Sequence, residues 1–135
     1  MKKKYSDLPS FVKAEHSRKN YNYWKSNSIE NNGFFIIFNG FMENDILKRI
    51  TGNALKLYIF FGINSKNDTG ESFYSIKQIA KYFDKSERTI NNWIKELEDV
   101  NLIKRYQLSY NNVAHTFLQP YDAGRIRPNP KKENH

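Results

Sequence analysis

The chain has 135 residues, with 22 Lys and Arg against 14 Asp and Glu and a formal net charge of +8. That length fits one domain with tails and excludes two large ones. The absence of cysteine excludes a disulfide framework, a Cys-ligated zinc or a thiol nucleophile.

The longest apolar stretches, 34–38 and 57–61, are far short of the roughly 20 residues a bilayer-spanning helix needs. No membrane partner is expected. The basic start, Met1-Lys2-Lys3-Lys4, has no apolar segment behind it, so it does not read as a secretory leader. A reducing, cytoplasmic setting is the expectation.

The charge is concentrated at the ends: residues 1–25 carry +5, residues 26–120 only +1 and residues 121–135 carry +2. A basic excess of this kind favours a polyanionic partner, nucleic acid first. Three zones follow. Residues 1–33 are a basic, partly flexible arm with interleaved aromatics (Tyr5, Phe11, Tyr21, Tyr23, Trp24), a short helix near Phe11 to Tyr23, and loop chemistry at Ser26-Asn27-Ser28 and Asn31-Asn32-Gly33. Residues 34–120 are the folded domain. Residues 121–135, with Pro128 and Pro130 among charges, read as a flexible basic tail.

Within the domain, Phe34 to Phe38 suits either a strand or a helix entry, and periodicity does not decide between them. Met42 to Ile50 has helical spacing. Thr51 is positioned to cap a helix whose buried face is Leu55, Tyr58, Ile59 and Ile63. A polar turn region at 64–70 leads to a brief extended piece, Glu71 to Tyr74, and then to Ser75, a candidate N-cap.

From Ser75 the pattern sharpens. Ile76, Ile79, Ala80 and Phe83 share one helical face, and Asp84-Lys85 breaks the helix before Ser86 opens another. Ser86 and Thr89, followed by Ile90, Trp93, Ile94, Leu97 and Val100, describe an N-capped amphipathic helix. Two short helices joined by about three residues form a helix-turn-helix. Asp84 tolerates the left-handed backbone such a turn requires. With Ile90, Ile94 and Leu97 inward, Arg88, Asn92, Lys95 and Asp99 face outward, flanked by Lys85, Thr89 and Asn91. Arg and Asn suit bidentate contact with guanine and adenine edges in the major groove.

Tyr106, Leu108 and Tyr110 then alternate with polar residues, and Val113, His115 and Phe117 alternate again. A two-residue turn at Asn111-Asn112 would pair Tyr110 with Val113, Leu108 with His115 and Tyr106 with Phe117, leaving one face largely apolar.

A helix-turn-helix followed by a β-hairpin resembles the winged helix-turn-helix superfamily of bacterial regulators and plasmid replication initiators. The likeness is carried by residues 75–83, by 86–98 and by Asn101-Leu102-Ile103-Lys104-Arg105, and it spans roughly 45–120. The expected fold is therefore mainly α with a small β-hairpin. The resemblance implies that Ser86, Arg88, Thr89 and Asn92 meet duplex DNA. It also implies that Lys104 or Arg105, with the wing tip Asn111-Asn112, touches phosphate or the minor groove. Lys85 stands where the family generally has an apolar residue, so it is expected to turn outward toward phosphate. Asn101 stands where glycine often ends the second helix.

The segment Ser86 to Asp99 carries four acids against two bases, so much of the attraction must come from its flanks. Lys2, Lys3 and Lys4 are accordingly candidates for a phosphate-tracking arm. Homodimerisation would let the domain read two half-sites. His16, His115 and His135 lack spaced metal partners, and no phosphate loop or nucleophile elbow is present, so neither an enzyme, a cofactor nor a small-molecule effector is expected.

The leading expectation is a sequence-specific double-stranded DNA-binding protein that regulates transcription. The alternatives are an accessory or initiator protein for plasmid or mobile-element replication or transfer and, from a different class, a winged-helix protein-interaction module.

Overall fold

In the computed structural model, residues 4–109 and 113–121 are described. Backbone contacts divide the chain into two units, one ending at Phe34 and the other beginning at Phe35.

The first unit is a 3₁₀ turn, Tyr5–Asp7, followed by α1, Ser10–Asn31. The Lys13 ammonium donates to the Ser6 carbonyl at 2.9 Å, and the Tyr5 ring stacks on His16 at 5.7 Å. Helix α1 is nearly twice as long as the Phe11 to Tyr23 segment expected, and it absorbs the Ser26-Asn27-Ser28 stretch that reads as loop. Extending a nucleated helix fixes one residue for each added hydrogen bond, so residues such as Ser and Asn, which disfavour it by only a few tenths of a kcal/mol, can be carried within it. Asn31 adds a side-chain bond to the Asn27 side chain at 2.7 Å. Gly33, at φ 75°, then turns the chain out, its N–H donating to the Ser28 carbonyl. No residue of α1 is buried.

The second unit opens on residues 35–39, which form neither strand nor helix, although Phe35 packs against the core. Met42 to Ile50 does not make one helix. Two single turns, α2 (Gly40–Glu43) and α3 (Ile46–Arg49), are separated at Asp45, whose φ of 59° no helix accommodates. Phe41 and Ile46 are nevertheless buried.

Thr51 caps α4 (Gly52–Ile63), its hydroxyl accepting from Ala54 N–H at 3.2 Å. The buried set on α4 differs from the expected face: Ala54, Leu57, Tyr58, Phe60 and Phe61 are inside, Leu55 and Ile59 are half-buried and Ile63 is 66% exposed. The helix is apolar nearly all round, so periodicity could not select a side, and packing against α6 and β3 does. Burial pushes the Tyr58 phenol well above its ordinary range.

Strand β1 (Glu71–Ser72), helices α5 (Ile76–Phe83) and α6 (Glu87–Asp99), and strands β2 (Ile103–Tyr106) and β3 (His115–Leu118) complete the domain. The result is mainly helical with a three-stranded antiparallel sheet in the order β1-β3-β2.

The hairpin register is two residues from the expected one. Tyr106 lies opposite His115 and Lys104 opposite Phe117, rather than Tyr106 opposite Phe117. Strand β3 is the central strand, held on its other edge by β1, with Glu71 opposite Phe117 and Ser72 opposite Thr116. Its end is fixed by Leu118 N–H to Gly70 O and Gln119 N–H to Leu102 O, both 2.9 Å. Pairing along both edges sets the register, and a slip of two keeps every side chain on its face. Tyr110, Asn111 and Asn112 lie outside the described residues, as does all of the expected tail beyond Tyr121.

Leu57, Leu97 and Leu102 are fully buried, so truncating Leu97 to Ala should destabilise the domain by about 2–5 kcal/mol. Denaturant unfolding followed at Trp93 checks this; a loss below 1 kcal/mol would contradict the packing described.

Candidate nucleic-acid interface

The site is built from two capped helices and the turn between them. Ser75 and Gln78 form a reciprocal capping box: Ser75 Oγ accepts from Gln78 N–H at 3.1 Å, and Gln78 Oε1 accepts from Ser75 N–H at 2.9 Å. This fixes where α5 starts. Its end is equally defined. Asp84 adopts φ 55°, ψ 51°, and the Lys85 N–H reaches back to the Ala80 carbonyl at 3.0 Å. That is a Schellman closure, normally completed by an apolar contact from the residue after the left-handed one. Lys85 holds that position and is exposed, with its charged end kept in water.

Helix α6 is delimited the same way. Ser86 Oγ accepts from Thr89 N–H at 3.1 Å and lies 2.9 Å from the Thr89 hydroxyl. At the other end Asn101, at φ 60°, closes a second Schellman motif in which Leu102 N–H donates to Leu97 O at 2.9 Å. Here the apolar pair is present: Leu97 and Leu102 are both fully buried.

Between those caps Ile90, Trp93, Ile94 and Leu97 are buried, while Arg88, Asn91, Asn92, Lys95 and Asp99 are exposed. Arg88, Asn92 and Lys95 follow one another at i, i+4 and i+7, a single outward stripe. Thr89 is half-buried and its hydroxyl is engaged with Ser86. The N-terminal half of α6 therefore offers a guanidinium and two amides beside the Glu87 carboxylate, and the Lys95 ammonium follows in its second half.

The acids of this helix are partly diverted elsewhere. Glu96 turns toward α4, accepting from Thr51 N–H at 2.7 Å and from the Thr51 hydroxyl at 3.0 Å. Its negative charge thus sits at the positive end of the α4 dipole. This link was not anticipated, because it joins positions 45 residues apart. Glu98 acts on Arg105: burial pulls the guanidinium below its ordinary range, and the Glu98 charge opposes that pull.

The two basic residues of β2 have different fates. Lys104 is exposed. Arg105 points inward, donating to Thr116 Oγ1 at 2.5 Å and to the Tyr74 carbonyl at 3.5 Å, with its guanidinium carbon 5.9 Å from the Phe61 ring centre. Of the pair expected to reach phosphate, Arg105 is occupied in holding β2, β3 and the α5 approach together. Strand alternation decides this, since Arg105 shares a face with buried Ile103.

Lys4 is exposed, its carbonyl accepting from Asp7 N–H. Lys2, Lys3, Asn111 and Asn112 lie outside the described residues. Lys77 and Lys81, one turn apart and exposed on α5, were not singled out from the sequence, although their i, i+4 spacing opposite Ile79 and Ala80 was the available signal. Among the described residues no group of three or more His, Cys, Asp or Glu side chains could hold a metal ion. None of the described helices is long and apolar enough to cross a membrane.

A family model for a helix-turn-helix domain matches residues 48–103, from within α3 to the first residue of β2. The match supports a helix-turn-helix domain with DNA as its partner. No curated protein and no solved structure matches the chain.

Arg105→Ala should lower stability by about 1–3 kcal/mol by leaving the buried Thr116 hydroxyl unpaired, whereas Lys104→Ala should change it by less than about 0.5 kcal/mol. Thermal melting of the two variants side by side checks the assignment, and equal losses would refute it.

Proposed function

We propose that the chain is a sequence-specific double-stranded DNA-binding protein of the winged-helix kind and that it regulates transcription in a bacterial cytoplasm. The observation that carries this reading is the outward stripe of Arg88, Asn92 and Lys95 on a helix whose opposite side is buried. A helix of that width fits the B-DNA major groove.

In this reading α6 enters the groove by its N-terminal turns. Arg88 reads guanine and Asn92 reads adenine, each presenting two hydrogen-bonding groups to a base edge. Asn91 and Lys95 flank them. Lys85, Ser86 and Thr89 face the phosphates beside the helix start, where exposed N–H groups and the helix dipole favour an anion. Lys104 adds a phosphate contact from the wing, with Asn111 and Asn112 at its tip. Asp99, at the far end of α6, stays clear of the groove because such helices insert by their first turns. Lys2, Lys3 and Lys4 serve as a sequence-independent electrostatic arm. A homodimer would place two such helices on successive half-sites.

Selection from random duplexes, followed by genome-wide footprinting, tests the reading and yields the site; promoters should be protected. On the selected duplex Arg88→Ala and Asn92→Ala should each cost about 1–3 kcal/mol and relax discrimination at one position. Lys104→Ala should weaken all duplexes alike and reduce the slope of log K against log salt by about 1. Selection that enriches no duplex would overturn the proposal.

A further inference from the structure

The inward side of this sheet mixes polar Ser72, Thr116 and Arg105 with apolar Ile103 and Leu118. An antiparallel sheet packed on one side normally turns apolar residues inward and polar ones to water. Here the inward positions include Ser72, Thr116 and Arg105, two of them almost completely buried. The outward positions carry Phe73, His115, Phe117 and Tyr106.

These four rings form a continuous row across the strands. Phe73 and His115 are 5.3 Å apart between ring centres, His115 and Phe117 6.4 Å, and Phe117 and Tyr106 5.8 Å. The outer two are half open to solvent, Phe73 at 52% and Tyr106 at 50%. Cations lie within the row: the Lys66 ammonium sits 5.8 Å from the Phe73 ring centre, and exposed Lys104 is directly opposite Phe117 in the register. Among the described residues, the carboxylate on this face is Glu71, and it is paired with His115 Nδ1.

We infer that this outer sheet face is a second binding surface, for unpaired DNA, on which successive bases stack against Phe73 and Tyr106 while Lys66 and Lys104 meet the backbone. Aromatic rings on a rigid sheet, bordered by lysines, are the chemistry by which single strands are held without sequence preference, since every base presents a π face. Charge selects this occupant over a second copy of the chain. A two-fold contact would set the same patch against itself, Lys66 and Lys104 included, in a protein of net charge +8. A polyanion removes that repulsion. The choice of DNA over RNA rests on the helix-turn-helix reading; the ring row does not.

The test uses the full chain and a fluorescein-labelled oligo-dT of about 12 nucleotides, followed by anisotropy at low salt. Wild type should bind, and Phe73→Ala and Tyr106→Ala should each weaken binding roughly ten-fold with melting temperatures preserved. Arg88→Ala should leave oligo-dT binding unchanged, and Tyr106→Trp should retain binding with indole fluorescence quenched on addition of oligo-dT. Four results overturn the inference: no oligo-dT binding, binding undiminished by loss of either ring, tighter binding of oligo-rU, or self-association in sedimentation that loss of the rings abolishes. The two readings fail separately. Ring-dependent oligo-dT binding without duplex selection sinks only the α6 assignment, and the converse sinks only this one.

Discussion

The rest of the domain depends on the burial of one side of α6. Ile90, Ile94 and Leu97 lie within 5% of complete burial, and Trp93 is nearly as deep. Because side chains advance about 100° per residue, fixing those four fixes every other position on the helix. Arg88, Asn92 and Lys95 face outward because the apolar stripe faces α4, α5 and β2. Both ends of the helix are held by left-handed residues, Asp84 before it and Asn101 after it. The stripe is therefore set in angle by packing and in length by two caps.

Charge placement follows the same geometry. A helix with more acids than bases is a poor ligand for a polyanion unless the acids are used elsewhere. Glu96 is engaged at the start of α4, which leaves Glu87 as the acid of the opening turns, beside Arg88, Asn91 and Asn92. On the sheet, Glu71 is likewise engaged by His115. The chain's positive excess is thereby less opposed at α6 and at the outer sheet face than the local composition indicates.

Local signals in the sequence were accurate at the helix caps, though not at Ser26-Asn27-Ser28, which α1 absorbs. Thr51, Ser75 and Ser86 were legible as N-caps because a cap spans three residues, and each accepts the N–H three residues on. Asp84 and Asn101 were legible for the same reason. Other errors arose at a left-handed residue that periodicity does not show, or where distant partners decide. The single helix expected over 42–50 breaks at Asp45, the apolar surround of α4 hid which residues are inside, and the hairpin slipped by two because β1 pairs with β3.

By itself, then, the sequence determined the helix-turn-helix, the two faces of α6 and the presence of a following hairpin, because these rest on periodicity and caps within a dozen residues. Only the tertiary structure decided that Arg105 is structural while Lys104 is free, that Glu96 reaches Thr51, and that the aromatic side of the sheet faces outward. Alternation along a strand states that two faces differ, but not which of them meets the core. That choice is made by the elements packed on the sheet, and they come from segments far away along the chain.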